Sequence, residues 1–78
     1  MRVGLTSKGA EVAEMIFRGE FRLPAYWPEK TKDVLFYLYQ GPGDVDYYDL
    51  GYELKMPWKS VDALATWLRS KGWVEVQR

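Results

Sequence analysis

The chain contains no cysteine and no histidine. Without cysteine it can form neither a disulfide framework nor a thiolate metal site, and without histidine it lacks the commonest general base and metal ligand. Three acids, Asp44, Asp46 and Asp49, do not have the ligand spacing of a calcium-binding loop, and no Lys-Ser/Thr follows the turn GPGD as in a phosphate-binding loop. We therefore expect a protein that is not an enzyme and that uses no metal or other cofactor.

Long hydrophobic runs are also missing. The N-terminal segment MRVGLTSKGAEV lacks the apolar core of a signal peptide, and the longest aromatic-aliphatic run, VLFYLY, is far too short to span a bilayer. The expected location is the cytoplasm, without membrane association.

Neither sign of charge is in excess, because 11 Lys and Arg balance 11 Asp and Glu. The distribution is uneven, however: residues 44–53 carry four acids and no base, whereas residues 57–71 carry three bases and one acid. Such an asymmetry can orient the protein on a charged partner, although a neutral chain attracts nucleic acid only weakly over distance.

The chain is rich in apolar and aromatic side chains. Of its 78 residues 47% are hydrophobic and 17% aromatic, including four Trp and six Tyr, which excludes intrinsic disorder. A chain of this length is predicted to form a single domain over residues 1–78 with a modest core. Because this core cannot hold every aromatic ring, we expect some tyrosines on the surface.

Hydrophobic periodicity, prolines and glycines divide the chain into helices and short strands. Thr6 or Ser7 is the expected N-cap of the first helix and Asp46 that of the third, and Gly72 is expected to end the fourth. Pro28 is expected in the first turn of the second helix, and Val45 is expected to pair as a single β residue. The predicted bounds are helices near 7–19, 29–40, 46–55 and 58–71 and strands near 2–5 and 73–77.

The predicted fold class is α/β, mainly α, with about four helices and a small two- or three-stranded antiparallel sheet. Each helix has an apolar stripe at three- and four-residue spacing. The side chains expected to face the core are Val12, Ala13, Ile16, Phe17, Thr31, Val34, Leu35, Leu38, Leu50, Leu54, Val61, Leu64, Ala65 and Leu68. Alternation in the last strand places Val74 and Val76 on one face and Trp73, Glu75 and Gln77 on the other.

A pattern of leucines, a small turn and a glycine runs through the second half of the chain. Its members are Leu50, Leu54, the turn Lys55-Met56-Pro57, Ser60, Val61, Leu68 and Gly72. With the helix before it, the segment from about residue 31 to 76 resembles the winged helix-turn-helix regulators of the MarR and ArsR type. The resemblance implies a winged helix-turn-helix fold, in which two helices cross at a small turn and the glycine lets the chain reverse into the wing.

The phrase GLTSKGAEVAEMI stands at the N-terminus, whereas a similar phrase follows the second wing strand in those regulators. The resemblance therefore implies a permuted order of elements, in which strand 2–5 pairs antiparallel with strand 73–77. The other possibility is that strand 73–77 pairs with its own copy in a dimer, because an unpaired edge invites association. We expect the intramolecular pairing, which is the usual outcome within a small domain.

Winged-helix regulators present their last helix to the major groove of DNA and their wing to the backbone. The resemblance thus implies a small transcription regulator that binds double-stranded DNA. The implied DNA-binding residues are Trp58, Lys59, Ser60, Asp62, Ala63 and Thr66, with Arg69, Arg78 and Arg2 as phosphate contacts. Asp62 and Ala63 stand where such regulators usually have Arg or Lys, and a merely solvated face is the alternative interpretation of Lys59 and Thr66.

A second function stays open, that of a winged-helix adaptor that binds another protein and no nucleic acid. Trp58 and Trp67 are the candidate anchors, with the surface tyrosines, for a protein partner or a homodimer. Alternatively, each tryptophan completes the core or packs beneath the connector 21–28. A continuous positive stripe on the fourth helix favours DNA, whereas an apolar patch ringed by acids favours the adaptor.

Overall fold

The structure is a computed structural model that describes residues 1–41 and 43–77. Within these ranges the chain forms four helices and one three-stranded antiparallel sheet, so the predicted fold class is confirmed. In chain order the elements are β1 (Arg2–Leu5), α1 (Ser7–Phe17), α2 (Thr31–Gln40), β2 (Val45–Asp46), α3 (Tyr47–Leu54), α4 (Trp58–Ser70) and β3 (Val74–Gln77).

The N-terminal strand is the centre of the sheet, whose order is β2-β1-β3. One edge of β1 pairs with β3, with Arg2 opposite Gln77, and the other edge pairs with β2, with Val3 opposite Val45. The predicted intramolecular pairing of the first and last strands is confirmed. β2 has two residues and not one, because Arg2 also pairs with Asp46.

The first helix begins as predicted and ends earlier. Thr6 is its N-cap, and the Thr6 hydroxyl accepts the N–H of Gly9 at 3.0 Å. The helix ends at Phe17 and not at residue 19, because Gly19 has a φ of 76°, a left-handed conformation that a right-handed helix cannot include.

Phe17 does not face the core, contrary to the prediction, because its side chain is 73% exposed. The buried stripe of α1 is formed by Gly9, Val12, Ala13 and Ile16. At 100° per residue Phe17 points about 90° away from the centre of that stripe, which puts it at the edge of the buried face. Its ring packs edge-on against Phe36, with centroids 6.1 Å apart.

The second helix starts at Thr31 and not at residue 29. The Thr31 N–H donates to the Pro28 carbonyl at 3.1 Å, which closes a tight turn before the helix. The Val34 N–H then donates to the Lys30 carbonyl at 2.9 Å, the spacing of a true α-helix. Pro28 therefore precedes the helix and is not in its first turn. The predicted inward face is confirmed at Thr31, Val34, Leu35 and Leu38.

Gly41 is the C-cap of α2, and Pro42, which belongs to the predicted Gly-Pro-Gly stop, lies outside the described residues. The third helix spans 47–54 and not 46–55. Asp46 is its N-cap, as predicted, and one carboxylate oxygen accepts the Tyr48 N–H at 2.8 Å. Lys55 ends the helix in the left-handed conformation. Leu50 is buried as predicted, whereas Leu54 is half-buried.

The fourth helix ends in two paired hydrogen bonds. Lys71 is the C-cap and Gly72 follows with a φ of 77°, so the helix stops just before the predicted limit of 71. The Trp73 N–H donates to the Leu68 carbonyl at 3.1 Å, and the Gly72 N–H donates to the Arg69 carbonyl at 2.9 Å. These are the bonds of a Schellman motif, in which glycine takes the left-handed position. The role predicted for Gly72 is confirmed.

Trp73 is buried, although strand alternation predicted it on the same face as Glu75 and Gln77. Its side chain is 7% exposed, and β3 begins only at Val74, so the alternation of the strand does not yet apply to it. The Schellman turn returns Trp73 to the core, where its ring packs against Phe21 and Trp27 at centroid distances of 6.2 and 5.1 Å.

The core lies between the four helices and the sheet. The predicted core residues of α4 are all buried, as are most of those of the other helices. The connector, which was predicted over residues 21–28, spans residues 18–30 between α1 and α2. It contributes the partly buried side chains of Phe21, Leu23 and Trp27 to the rim of this core. No helix within the described ranges has the length and apolarity needed to cross a membrane.

Candidate functional site

The turn between α3 and α4 holds the two helices close together. Lys55 has a φ of 53°, and the Met56 N–H donates to the Gly51 carbonyl at 2.8 Å. A Cβ on Gly51 would lie 2.9 Å from the Met56 carbonyl oxygen, so only glycine fits there without a shift of the turn. Pro57 precedes α4 and its carbonyl accepts the Ser60 N–H at 3.0 Å. The result is a helix-turn-helix with a short, well-defined turn.

The inward face of α4 is apolar and buried, and its outward face is exposed to solvent. Val61, Leu64, Ala65 and Leu68 are buried. Of the residues that the sequence predicted to contact DNA, the structure places seven on this helix: Trp58, Lys59, Ser60, Asp62, Ala63, Thr66 and Arg69. All of them are exposed except Asp62, which is half-buried. The helix therefore brings this set together.

The two remaining predicted residues lie elsewhere. Arg2 is in β1, and its guanidinium donates to the Asp44 backbone carbonyl at 2.6 Å. Part of its hydrogen-bonding capacity is therefore already used within the chain. Arg78 follows β3 and lies outside the described residues. Arg2 and Gln77 are paired, so the ends of β1 and β3 are adjacent.

Most polar side chains on the exposed face of α4 form no bond with the rest of the described chain. Among the described residues, none forms a hydrogen bond or ion pair with the side chains of Lys59, Thr66 or Arg69. Ser70 differs, because its hydroxyl donates to the Trp67 carbonyl at 2.6 Å. The free side chains can all turn to an external ligand.

Charge along α4 alternates in sign. At 100° per residue Lys59 and Thr66 point in nearly the same direction, with Asp62 on the side that also carries Arg69. The half-buried carboxylate of Asp62 therefore interrupts the two cations of this face. The face offers scattered positive charge with small polar and apolar side chains between.

Three aromatic side chains are exposed together beside this face. Tyr48 is 83%, Tyr52 84% and Trp58 58% exposed. With Tyr47, Gly51 and Met56 they line a groove of about 380 Å³ between α3 and the start of α4, which we name the aromatic groove. Sequence analysis named Trp58 and expected exposed tyrosines, but it did not show that they share one surface. The i, i+4 spacing of Tyr48 and Tyr52 was the available signal.

The other tryptophan of α4 has a structural role. Trp67 packs edge-on against Trp27 of the connector, with centroids 5.5 Å apart, and the Lys71 ammonium lies 4.7 Å from the Trp67 ring centroid. Trp67 thus packs beneath the connector, one of the roles expected for it, and Trp58 does not. The indole nitrogens of Trp27 and Trp67 are buried and have no hydrogen-bond partner among the described residues.

A second groove, of about 510 Å³, lies between the connector and α4. Its lining includes Tyr26, which is 81% exposed, together with Met56, Ala63 and Trp67. Sequence analysis did not identify this groove, because it depends on how the connector folds over α4.

Two acids of the middle segment stabilise the start of α3. Asp46 caps α3, and Asp49 lies in its first turn, where the helix dipole favours negative charge. Among the described residues no three acidic side chains lie close enough to hold a metal ion.

Neither the scan against protein-family models nor the searches of curated proteins and of solved structures returns a match for this chain.

Proposed function

We propose that this protein is a small winged-helix DNA-binding protein, a transcription regulator that reads double-stranded DNA with α4. The supporting observation is the exposed face of α4, which the turn at Lys55 holds in place. Within the described part of the chain, the side chains of Lys59, Thr66 and Arg69 on this face have no hydrogen-bond or ion-pair partner. The major groove of DNA admits one α-helix, and a helix-turn-helix places its second helix there. A regulator of this kind is expected to act in the cytoplasm.

The helix is rigidly supported, as base reading requires. Val61 and Leu68 are at most 1% exposed, and the Schellman bonds fix the far end of α4. A side chain on such a helix keeps its position relative to the groove, which is what allows hydrogen bonds to base edges to discriminate between sequences. Ser60 and Thr66 are the proposed base-edge contacts, and Lys59 is a proposed phosphate contact.

The sheet supports the winged-helix proposal. β3 follows α4 in the chain and pairs with β1 in an antiparallel ribbon. The resemblance assigns the wing to this position. The end of this ribbon at which Arg2 lies opposite Gln77 is the proposed tip of the wing. Arg2 at this end, with Arg78 beyond it in the sequence, is the proposed wing contact to phosphate.

The proposed electrostatic contribution is small. Lys59, Arg69 and Arg2 would neutralise a few phosphates, and the formal net charge of the chain is zero. For three phosphate contacts the logarithm of the binding constant should fall with the logarithm of salt concentration with a slope of roughly −2.7. A homodimer would double the footprint, and we include dimerisation in the proposal for that reason.

The test is binding of the full chain to a pool of random-sequence duplexes at low and at moderate salt. Lys59→Ala and Arg69→Ala are expected to weaken binding and each to make the salt slope shallower by about 0.9. Lys32→Ala is the matched control, because it removes the same charge from α2 and should leave binding unchanged. Absence of binding by the wild-type chain at low salt would refute the proposal.

The second candidate function is a protein-interaction adaptor without nucleic-acid binding. The specific observation in its favour is the aromatic groove, which lies beside the acidic residues of α3. Neutral net charge and the carboxylate of Asp62 also favour it. The same duplex experiment separates the two candidates, because an adaptor of this kind does not bind DNA even at low salt.

A further inference from the structure

We infer that the aromatic groove is a docking site for a basic, apolar peptide segment of a partner protein. The groove is open to solvent, has a volume of about 380 Å³, and is lined by side chains of α3, the turn and the start of α4. The inference concerns a surface that the DNA proposal does not use, except for Trp58 at its border. It holds whether or not α4 binds DNA.

The groove gathers large apolar surface that folding leaves uncovered. Tyr48 and Tyr52 stand on successive turns of α3, and Trp58 faces them from α4. Tyrosine and tryptophan are the side chains most enriched at the energetic centres of protein interfaces. Isolated exposed aromatics are ordinary, but three that line one concave surface form a contiguous patch of the kind that marks an interaction site.

The acids next to the exposed tyrosines of α3 favour a cationic occupant. Asp49 and Glu53 form a second i, i+4 row on α3, next to the row of Tyr48 and Tyr52 but outside the lining of the aromatic groove. Glu53 lines an adjoining groove with Tyr52 and Lys55. No described basic side chain forms an ion pair with either acid. The faces of aromatic rings also attract cations. A Lys or Arg side chain is therefore favoured twice, and the phosphates of a nucleic acid are disfavoured.

The position of Glu53 in α3 is unfavourable for helix stability. It lies in the last turn of α3, where the helix dipole disfavours an acid, and four residues from the like-charged Asp49. Both placements lower helix stability, so neither folding nor capping explains Glu53. A cationic partner does explain it.

Among the described residues, a second copy of the chain offers no exposed pair of an apolar and a free basic side chain outside the groove itself. The most exposed apolar side chain with a basic neighbour is Phe17, which is 73% exposed and precedes Arg18. Arg18 already forms ion pairs with Glu14 and with Glu20. The charge of Arg18 is thus neutralised within the chain, and Arg2, beside the exposed Met1, is engaged by the Asp44 carbonyl. Trp58, beside the free Lys59, already lines the groove, so a different protein is the favoured occupant.

The experiment selects peptides from a phage-displayed library of random dodecapeptides against the immobilised full chain. Enriched peptides are expected to combine large apolar side chains with Lys or Arg. The affinity of the best synthetic peptide should fall about tenfold or more with Tyr52→Ser, as at an interface hot spot. Tyr26→Ser is the matched control, since Tyr26 is 81% exposed at the other groove, and should change affinity less than twofold.

Glu53→Gln supplies a readout that a purely structural role would not give. It should weaken peptide binding while leaving the melting temperature unchanged or higher, because it removes an unfavourable charge from the helix end. Circular dichroism on each variant checks that the fold is retained. A binding loss that comes with a loss of stability would contradict the inference.

Three other outcomes would also overturn it. The first is a selection that enriches acidic peptides or enriches no peptide. The second is sedimentation of the wild-type chain as a dimer that Tyr52→Ser converts to a monomer. The third is loss of duplex binding in Tyr52→Ser. The second assigns the groove to another copy of the chain, and the third assigns it to nucleic acid. Failure of the DNA proposal is recognised separately, because it depends on Lys59 and Arg69, and neither is changed here.

Discussion

Gly9 in the first turn of α1 lies directly against the backbone of Trp73, at the junction of α4 and β3. A Cβ built on Gly9 would overlap the Trp73 carbonyl oxygen. That carbonyl cannot move easily, because it accepts the Thr6 N–H at 3.0 Å while the Thr6 hydroxyl donates to the Gly72 carbonyl at 2.7 Å. The start of the first helix is thus locked onto the end of the last one.

Gly9→Ala should therefore destabilise the protein by about 1–3 kcal/mol, the usual cost of overpacking. Helix propensity alone predicts the opposite, a gain of about 1 kcal/mol. Urea unfolding followed by circular dichroism distinguishes the two signs. Lys8→Ala is the control, because Lys8 is exposed in the same turn, and it should change stability by no more than about 0.5 kcal/mol.

Lys55→Gly should stabilise the protein. Lys55 is the one described residue other than glycine with a positive φ, at 53°, and this conformation costs an L-residue roughly 1–2 kcal/mol. Glycine removes that cost but loses more backbone entropy on folding, so we expect a net gain of about 0.5–1 kcal/mol. Lys55→Ala keeps a Cβ and should show no gain. A thermal melt in which both variants behave alike would contradict the explanation.

Trp27→Ala should release the connector from α4. The Trp27 ring packs against Trp67 and Trp73 at centroid distances of 5.5 and 5.1 Å, and the Lys71 ammonium lies 5.6 Å from its centroid. Because Trp27 is only partly buried, we expect a loss of about 2–3 kcal/mol, below the 3–5 kcal/mol of a fully buried tryptophan.

The same variant should be cut faster by trypsin after Arg22, which lies in the connector. Tyr26→Ala is the neighbouring control and should keep the wild-type cleavage rate, since its ring is 81% exposed. Equal protection of the connector in wild type and Trp27→Ala would show that other contacts hold it.

A circular permutant tests the sheet topology. Residue 78 would be joined to residue 1 through Asn-Gly, and the chain opened between residues 20 and 21, so that β3 and β1 become a hairpin. We expect the same helix content and a stability within about 1 kcal/mol of wild type, because loop-closure entropy changes by only about 0.6 kcal/mol per doubling of loop length. Without the linker, the two fragments should fold only in a concentration-dependent way. An unfolded permutant would contradict the observed pairing.

The sequence by itself determined the elements, because their signals are local. The Asp46 cap, the Gly72 stop and the buried stripe from Val61 to Leu68 depend on residues a few positions apart, and all three are confirmed. Helix ends were less well predicted. The left-handed conformation of Gly19 made α1 end at Phe17. The tight turn between Pro28 and Thr31 kept Glu29 out of α2.

Tertiary structure alone decided what lies far apart in the chain. The burial of Trp73 follows from its packing on Phe21 and Trp27, and the need for glycine at position 9 follows from the Trp73 carbonyl. The exposed residues of α4 could be read from helical periodicity, because one helix holds them. The aromatic groove could not, because it requires the crossing of two helices that only the turn at Lys55 and the shared core fix. Local patterns specify which faces are apolar, whereas the surface that two faces form together is set by packing.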